Sequence, residues 1–190
     1  MPSAMIHMLV AEAYDPKRTP ALMAGSVAPD AVEDRSFKDR FHLRDVPDRF
    51  EALADWARSR DLSDPYSDGF ILHMYTDILW DNGPQAELRT PTGNEWFRPY
   101  RRAIHRTSCR LYHVLPWAPP LWDEMLRWAD AQGGAMRMGL PMNMASEFLH
   151  KTHGWHVDND PEDFGYYTRE KVEAFASIAA ESYSAWKASL

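Results

Sequence analysis

The stretch GFILHMYTDILWD, residues 69–81, decides the fold because it would be apolar on nearly every side of a helix. Helical spacing places Phe70, His73, Asp77 and Trp80 on one face, and aliphatic or aromatic side chains cover the other faces. A helix of this kind is typically the buried central helix of a bundle. We therefore expect this stretch to form the centre of the protein.

The rest of the chain also has helical spacing and lacks the sustained apolar–polar alternation of exposed strands. Asp64-Pro65 is expected to open the central helix, since proline is favoured at the first helical position. Other helices are predicted at 3–14, 49–61, 96–112 and 121–132, and a short helical turn at 19–34 is broken at Pro29. The last predicted helix starts either at 160–161 or near 168 and continues to 190. Residues 35–48 and 82–95 are predicted to be polar connections. These patterns predict an all-α fold.

Length and charge limit the classes of protein to consider. The 190 residues are enough for one compact domain, which we assign to 1–190. The formal charge of −7, from 21 basic and 28 acidic residues, argues against wrapping of duplex nucleic acid, which needs a basic surface. No stretch reaches the roughly 18 apolar residues of a membrane span. A small-molecule or phosphoester substrate fits these limits, and the oligomeric state stays open.

The N-terminal residues and the single cysteine predict a cytoplasmic location. Residues 1–18 lack a basic start followed by an apolar segment and a cleavage site, so no secretory signal is expected. Cys109 has no cysteine partner for an internal disulfide, which is typical of a reducing compartment. A cysteine in a helix is also more often a small buried side chain than a reactive thiol.

His73 and Asp77 present a polar pair inside an apolar helix. A buried carboxylate without a partner is very costly, so Asp77 needs a cation, hydrogen bonds or a changed protonation state. Residues at i and i+4 can direct imidazole and carboxylate at one metal ion. The same spacing fits a His–Asp hydrogen bond that closes a core helix, which is the commoner case for this short pattern, so other ligands must decide between the interpretations.

Two upstream residues add candidate metal ligands. Asp30 follows a proline in AGSVAPDAVED, and His42 follows an aromatic residue in KDRFHLRD. Together with His73 and Asp77 they make two carboxylates and two imidazoles, a complete set for a divalent ion such as zinc. His7 lies among apolar residues of the first predicted helix.

These segments resemble a known family. The sequences MPSAMIHMLVAE (1–12), LMAGSVAPDAV (22–32), RFHLRD (40–45) and GFILHMYTDILWD are similar to the zinc-dependent phospholipase C family and its single-strand nuclease relatives, especially short bacterial hydrolase-like members. The similarity covers roughly the first 80 residues, and GSVAPDA and HMYTD are its most specific parts. It implies a single-domain helical bundle of the phospholipase C type that binds zinc.

The resemblance also implies a division of the ligands between two ions. Asp30, His42, His73 and Asp77 would hold one zinc ion. Asp77 would bridge to a second ion that is held by His7 and the N-terminal amine. In secreted relatives that amine lies five residues before the matching histidine, and Pro2 has this spacing from His7 if Met1 is removed.

The chain departs from the family at the ligands of a third ion. Gly83 stands where relatives place a histidine about six residues after the helix aspartate. Relatives also have a later histidine with a carboxylate four residues after it. In this chain only His156 and Asp160 have that spacing, and they lie in the turn-like stretch HVDNDPED. We therefore expect one or two zinc ions.

Function follows from these ligands as an expectation. The leading interpretation is a zinc-dependent hydrolase of a phosphoester, with Asp30 orienting or deprotonating a metal-activated water. Arg98, Arg102 and Arg106, on one helical line, are candidate phosphate ligands or simply a solvated basic face. The alternatives are a non-catalytic protein that retains a metal and a metal-free helical interaction domain. The GxSxG, P-loop, HExxH and CxxC motifs of other enzyme classes are absent.

Overall fold

The computed structural model describes residues 2–92 and 95–190, and it confirms the all-α fold. The helices are α1 (Ala4–Tyr14), α2 (Pro20–Val27), a 3-10 helix (Ala28–Ala31), α3 (Arg35–Phe41), α4 (Arg49–Arg58), α5 (Pro65–Asn82), α6 (Pro84–Thr92), α7 (Phe97–Val114), α8 (Ala118–Ala131), α9 (Met142–Asp158) and α10 (Arg169–Ala188). Two short antiparallel strands, β1 (Met136–Arg137) and β2 (Leu140–Pro141), precede α9. Within the described residues, no helix combines the length and apolarity needed to cross a membrane.

The predicted central helix is α5. Its first turn is capped by the Asp64 side chain, which accepts a hydrogen bond from the Ser67 backbone N–H, and Pro65 occupies the first helical position. From Tyr66 to Trp80 almost every side chain is buried, including His73 and Asp77 at 0% exposure. The apolar character of 69–81 on all sides therefore corresponds to burial on all sides.

Two glycines allow α2 to lie directly against α5. A Cβ atom built on Gly69 would lie 2.1 Å from the Leu22 carbonyl oxygen, and one on Gly25 would lie 2.2 Å from the Tyr66 carbonyl oxygen. Only hydrogen atoms fit at these two positions, so the helix backbones are in contact there. This close approach brings the Ser26 carbonyl to the His73 side chain, a contact on which the candidate metal centre depends.

Three predictions of local structure need correction. Residues 35–48 were expected to be a loop, yet α3 occupies 35–41 because the Asp34 side chain accepts a hydrogen bond from the Phe37 N–H and caps the helix. Residues 82–95 contain α6, which Pro84 begins, whereas 93–94 lie outside the described residues. The long helix α9 was not predicted as a unit, since Gly154 and several polar residues interrupt its apolar pattern.

Helix α3 ends in a tight turn that determines where the following arginine lies. The Arg44 N–H donates to the Asp39 carbonyl, the Leu43 N–H donates to the Arg40 carbonyl, and Leu43 has a φ of +55°. This is a Schellman turn, in which the left-handed position normally favours glycine. A leucine there is strained, and the turn directs Arg44 back toward α5.

A buried charge network joins α1, α5 and the C-terminal helix. The Asp68 carboxylate accepts hydrogen bonds from the Tyr183 hydroxyl at 2.6 Å and the Tyr14 hydroxyl at 2.9 Å. Lys187 Nζ lies 2.8 Å from the same carboxylate. Because Asp68 is buried, its charge depends on all three partners. The network holds α10 against the helices that carry the site.

We expect the Asp68→Asn substitution to lower the free energy of unfolding by about 1–3 kcal/mol, since it leaves the Lys187 ammonium without its counter-charge in a partly buried place. The matched control is Asp55→Asn, which removes an exposed partner of Arg58 and should change stability by less than about 0.5 kcal/mol. Urea unfolding of both variants measures the difference. Equal effects would contradict a structural role for the network.

Candidate metal centre

All five predicted ligands lie together although they come from four segments of the chain. His73 and Asp77 lie on α5, one turn apart. Asp30 is in the 3-10 helix that follows α2, His42 is the C-cap of α3, and His7 is on α1. Their polar atoms form two groups in which every ligand atom lies within 4.8 Å of the others. The first group is His42, His73 and Asp77, and the second is His7, Asp30 and His73.

The ring tautomers of His42 and His73 follow from their backbone contacts. His73 Nδ1 lies 2.8 Å from the Ser26 carbonyl oxygen, and His42 Nδ1 lies 2.8 Å from the Lys38 carbonyl oxygen. Because a carbonyl only accepts, each Nδ1 carries a hydrogen that it donates. Each neutral ring therefore presents the lone pair of Nε2. A backbone carbonyl that orients an imidazole in this way is the usual outer support of a metal-binding histidine.

The two Nε2 atoms face each other at 3.3 Å. Two lone pairs at this distance repel unless a proton or a cation lies between them. Burial, followed by the proximity of His7, lowers the pKa of His73 to about 3, which disfavours a proton on His73 Nε2. A tetrahedral zinc ion with Zn–N bonds of about 2.05 Å separates its ligand atoms by about 3.3 Å, the spacing found here.

Carboxylate oxygens complete this arrangement. Asp30 Oδ1 lies 3.5 Å from His42 Nε2, while Asp77 Oδ2 lies 3.7 Å from His42 Nε2 and 3.9 Å from His73 Nε2. Neither oxygen of Asp77 accepts a hydrogen bond from a described residue, although both are buried. Burial alone would raise the pKa of Asp77, but nearby His7, His73 and His42 outweigh it and hold the pKa far below its usual range. Asp77 is thus an ionised, buried carboxylate.

The two oxygens of Asp77 face different histidines. Oδ2 faces His42 and His73, whereas Oδ1 lies 3.5 Å from His7 Nε2. The His7 ring stacks on the His73 ring with centroids 3.8 Å apart and planes 12° from parallel. Both nitrogens of His7 are buried, and neither has a hydrogen-bond partner within residues 2–92 and 95–190, so no described residue uses their ligand capacity. The expected partner of His7, the N-terminal amine, belongs to Met1 and lies outside the described residues.

Four charged residues surround the ligands, and sequence reasoning missed their role. Lys38 Nζ lies 2.9 Å from Asp30 Oδ1, and an Arg44 nitrogen lies 3.5 Å from Asp77 Oδ2. Asp81 lies 3.3 Å from Arg44 and 3.0 Å from Arg49, and Arg49 also donates to the His42 carbonyl. One signal in the sequence could have indicated this role. Asp77 and Asp81 are four residues apart and so lie on one face of the helix, and Arg44 and Arg49 follow His42 as possible partners for their charges.

The five ligand side chains differ in exposure. The side chains of His7, His42, His73 and Asp77 are at most 1% exposed, whereas Asp30 is 12% exposed. Lys38 and Arg44 are 25% and 27% exposed and lie beside the carboxylates of Asp30 and Asp77. Asp30 is therefore the ligand side chain with the most contact with solvent.

His150, His153 and His156 lie on α9 at a spacing that fits either a metal site or a structural role at the end of a helix, and they do not form a metal-ligand group among the described residues. His150 pairs with Asp130, His153 contacts the Tyr112 hydroxyl, and His156 accepts from the Ser108 hydroxyl while its Nδ1 donates to the Thr152 carbonyl. Burial lowers the pKa of His156 to about 4, so its ring is a neutral core group. These contacts favour the structural interpretation of the cluster.

Cys109, considered as a reactive thiol, and Arg106, considered as a phosphate ligand, also have structural partners. Cys109 is buried, its thiol donates to the Asn159 carbonyl, and burial raises its pKa, as for an unreactive cysteine. Arg106 is paired with Glu162 and donates to the Asp163 carbonyl. Gly83, at the place of the expected third-ion histidine, is the C-cap of α5.

Comparison with known proteins gives no assignment: no family model, no curated protein and no solved structure matches the chain. The resemblance to the zinc-dependent phospholipase C family stays a prediction, and the geometry of the centre is what bears on function.

Proposed function

We propose that the protein is a zinc-dependent hydrolase of phosphoesters. The observation that carries this proposal is the approach of His42 Nε2 and His73 Nε2 to 3.3 Å, next to the buried Asp77 carboxylate. The residues fit a zinc ion because His42 and His73 supply imidazole nitrogens, Asp30 and Asp77 supply carboxylates, and backbone carbonyls orient both rings. His7 and the second oxygen of Asp77 would serve an additional ion.

Zinc held there would lower the pKa of a water molecule toward neutrality and so supply a nucleophile for phosphoester hydrolysis. The residues of the chain position that water and exclude others. Asp30 is the ligand carboxylate nearest to solvent, and its role is to orient the attacking water. Burial raises the pKa of Asp30, but His42 and Lys38 outweigh it and hold the pKa well below its usual range. This favours orientation over proton removal as the role of Asp30.

A second candidate function is a protein that retains a structural metal without turnover. The burial of four of the five ligands favours it, because a structural site is closed whereas a catalytic site keeps a position open to substrate. The partial exposure of Asp30, which lies beside Lys38, is the feature that favours the hydrolase.

Hydrolysis of bis(p-nitrophenyl) phosphate by protein purified without a histidine tag tests the proposal. We expect a rate that is proportional to bound zinc, lost on chelation and restored by zinc. Asp30→Asn should lower the rate per bound zinc ion by about a hundredfold or more. Asp45→Asn, which changes an exposed carboxylate nearby, is the matched control and should leave the rate unchanged.

The outcomes separate the candidates. At least one equivalent of zinc with no hydrolysis above the zinc-free protein would favour the structural metal. A protein that takes up no zinc would overturn both candidates and leave the histidines as core hydrogen-bonding groups, the third alternative of the sequence analysis.

A further inference from the structure

The two cations at the rim of the centre have a place that the ligand set alone does not explain. Lys38 lies in the middle of α3, Arg44 lies in the turn that follows it, and each contacts a different ligand carboxylate. Both side chains are about three-quarters buried, which is unusual for a lysine and an arginine unless they are paired. Their charged ends therefore lie beside Asp30 and Asp77, the two carboxylates of the centre.

We propose that Lys38 and Arg44 form a binding subsite for a phosphate-type oxyanion that operates when the centre holds its metal. The inference rests on the proposed function and deepens it, since it assigns the residues that would hold the phosphate group of the substrate. It differs from the alternative, left open by the sequence, in which Arg98, Arg102 and Arg106 of α7 hold the phosphate.

Charge balance supports a subsite that depends on the metal. Four carboxylates, of Asp30, Asp39, Asp77 and Asp81, face three cations, of Lys38, Arg44 and Arg49, so these side chains together carry one negative charge. One divalent ion reverses the sign of this charge. The loaded centre thus favours an anion that the empty centre repels, and a phosphate group is such an anion.

Metal binding would also change the partners of the two cations. In the structure, Lys38 and Arg44 neutralise Asp30 and Asp77, the carboxylates that a metal ion would engage. Once those oxygens bind a metal, the ammonium and the guanidinium retain hydrogen-bond donors for another acceptor. Guanidinium and ammonium groups both bind phosphate oxygens, the guanidinium in a fork geometry.

The position of Arg44 is held independently of Asp77. Asp81 lies 3.3 Å from one guanidinium nitrogen, Asp39 lies 3.7 Å from another, and the strained turn at Leu43 directs the chain back to α5. An arginine that only neutralised Asp77 would not require this support. Preorganisation of this kind reduces the entropy lost when an anion binds.

Isothermal titration of inorganic phosphate into zinc-loaded protein tests the inference without any activity assay. The variants Lys38→Gln and Arg44→Gln each remove one cation. The variant Arg44→Lys keeps the charge and tests whether the two-donor geometry of the guanidinium group is needed. Arg40→Gln removes an exposed cation of the same helix and is the matched control. Zinc content and the melting temperature of each variant are measured on the same samples.

We expect phosphate to bind the zinc-loaded protein at least about tenfold more tightly than the zinc-free protein. Each glutamine variant should weaken binding by about tenfold or more while it retains zinc, and Arg40→Gln should not. Arg44→Lys should recover only part of the affinity. If Arg44→Gln loses zinc, the phosphate affinities of Lys38→Gln and Arg44→Lys decide the test.

Two results would overturn the inference while zinc binding stands. One is phosphate affinity that is the same with and without zinc, and the other is affinity that Lys38→Gln and Arg44→Lys leave unchanged. Failure of the proposed function gives a different result, namely a protein that takes up no zinc. The two failures are therefore distinguishable in one set of samples.

Discussion

The His73→Ala variant is expected to lose zinc binding, with an affinity at least about a hundredfold below that of the unsubstituted protein. His73 is the residue shared by both ligand groups of the centre, so its removal leaves each group with only two of its three members. Removal of even an outer-shell partner typically costs 10- to 100-fold in affinity, and loss of a direct ligand should cost more.

The same variant separates a metal centre from a hydrogen-bonded core pair. Zinc should raise the melting temperature of the unsubstituted protein, because a ligand that binds only the folded state stabilises it, and it should leave the variant unchanged. His150→Ala removes an exposed histidine and is the control that should retain zinc. Elemental analysis after dialysis measures zinc content. Equal zinc in His73→Ala and unsubstituted protein would contradict the assigned ligand set.

The Gly69→Ala substitution is expected to lower the free energy of unfolding by about 3 kcal/mol or more. The added Cβ would lie 2.1 Å from the Leu22 carbonyl oxygen and 3.0 Å from the Ser26 backbone nitrogen. Both neighbours are backbone atoms of α2, so a side-chain rotation cannot relieve the contact and the helices must separate. Overpacking at such a contact costs several kcal/mol when the backbone has to move.

Separation of α2 from α5 should also weaken the metal centre. The Ser26 carbonyl would move away from His73 Nδ1, which it contacts at 2.8 Å, and the ring would lose the partner that fixes its tautomer. We expect zinc affinity to fall about 10- to 100-fold. Urea unfolding and a zinc titration measure the two effects.

Gly154→Ala is the matched control for Gly69→Ala. Gly154 lies inside α9, and a Cβ there would meet nothing within 4 Å. Alanine should therefore be neutral or stabilise the protein by about 0.4–1 kcal/mol, because it reduces the entropy of the unfolded chain. A Gly69→Ala variant as stable as Gly154→Ala would show that α2 and α5 do not meet as described.

Local pattern was sufficient for the principal elements. The apolar run of 69–81 predicted a buried helix, and helix α5 with His73 and Asp77 at 0% exposure confirms it. The short helix α3 escaped prediction because it has no buried residue within its bounds. Its stability comes from the Asp34 cap and from contacts made by Lys38 and His42, which depend on distant parts of the chain.

By itself, the sequence determined an all-α protein with a buried central helix and five residues of two types, histidine and aspartate, that suit a metal ion, since helical periodicity and ligand chemistry are local properties. Tertiary structure alone decided that these residues meet. The close approach at Gly25 and Gly69 brings α2 onto α5, the Ser26 carbonyl fixes the tautomer of His73, and the turn at Leu43 brings Arg44 to Asp77. These contacts join residues that are far apart in the sequence, 47 positions for Ser26 and His73, and backbone packing, which no short pattern encodes, sets their distances.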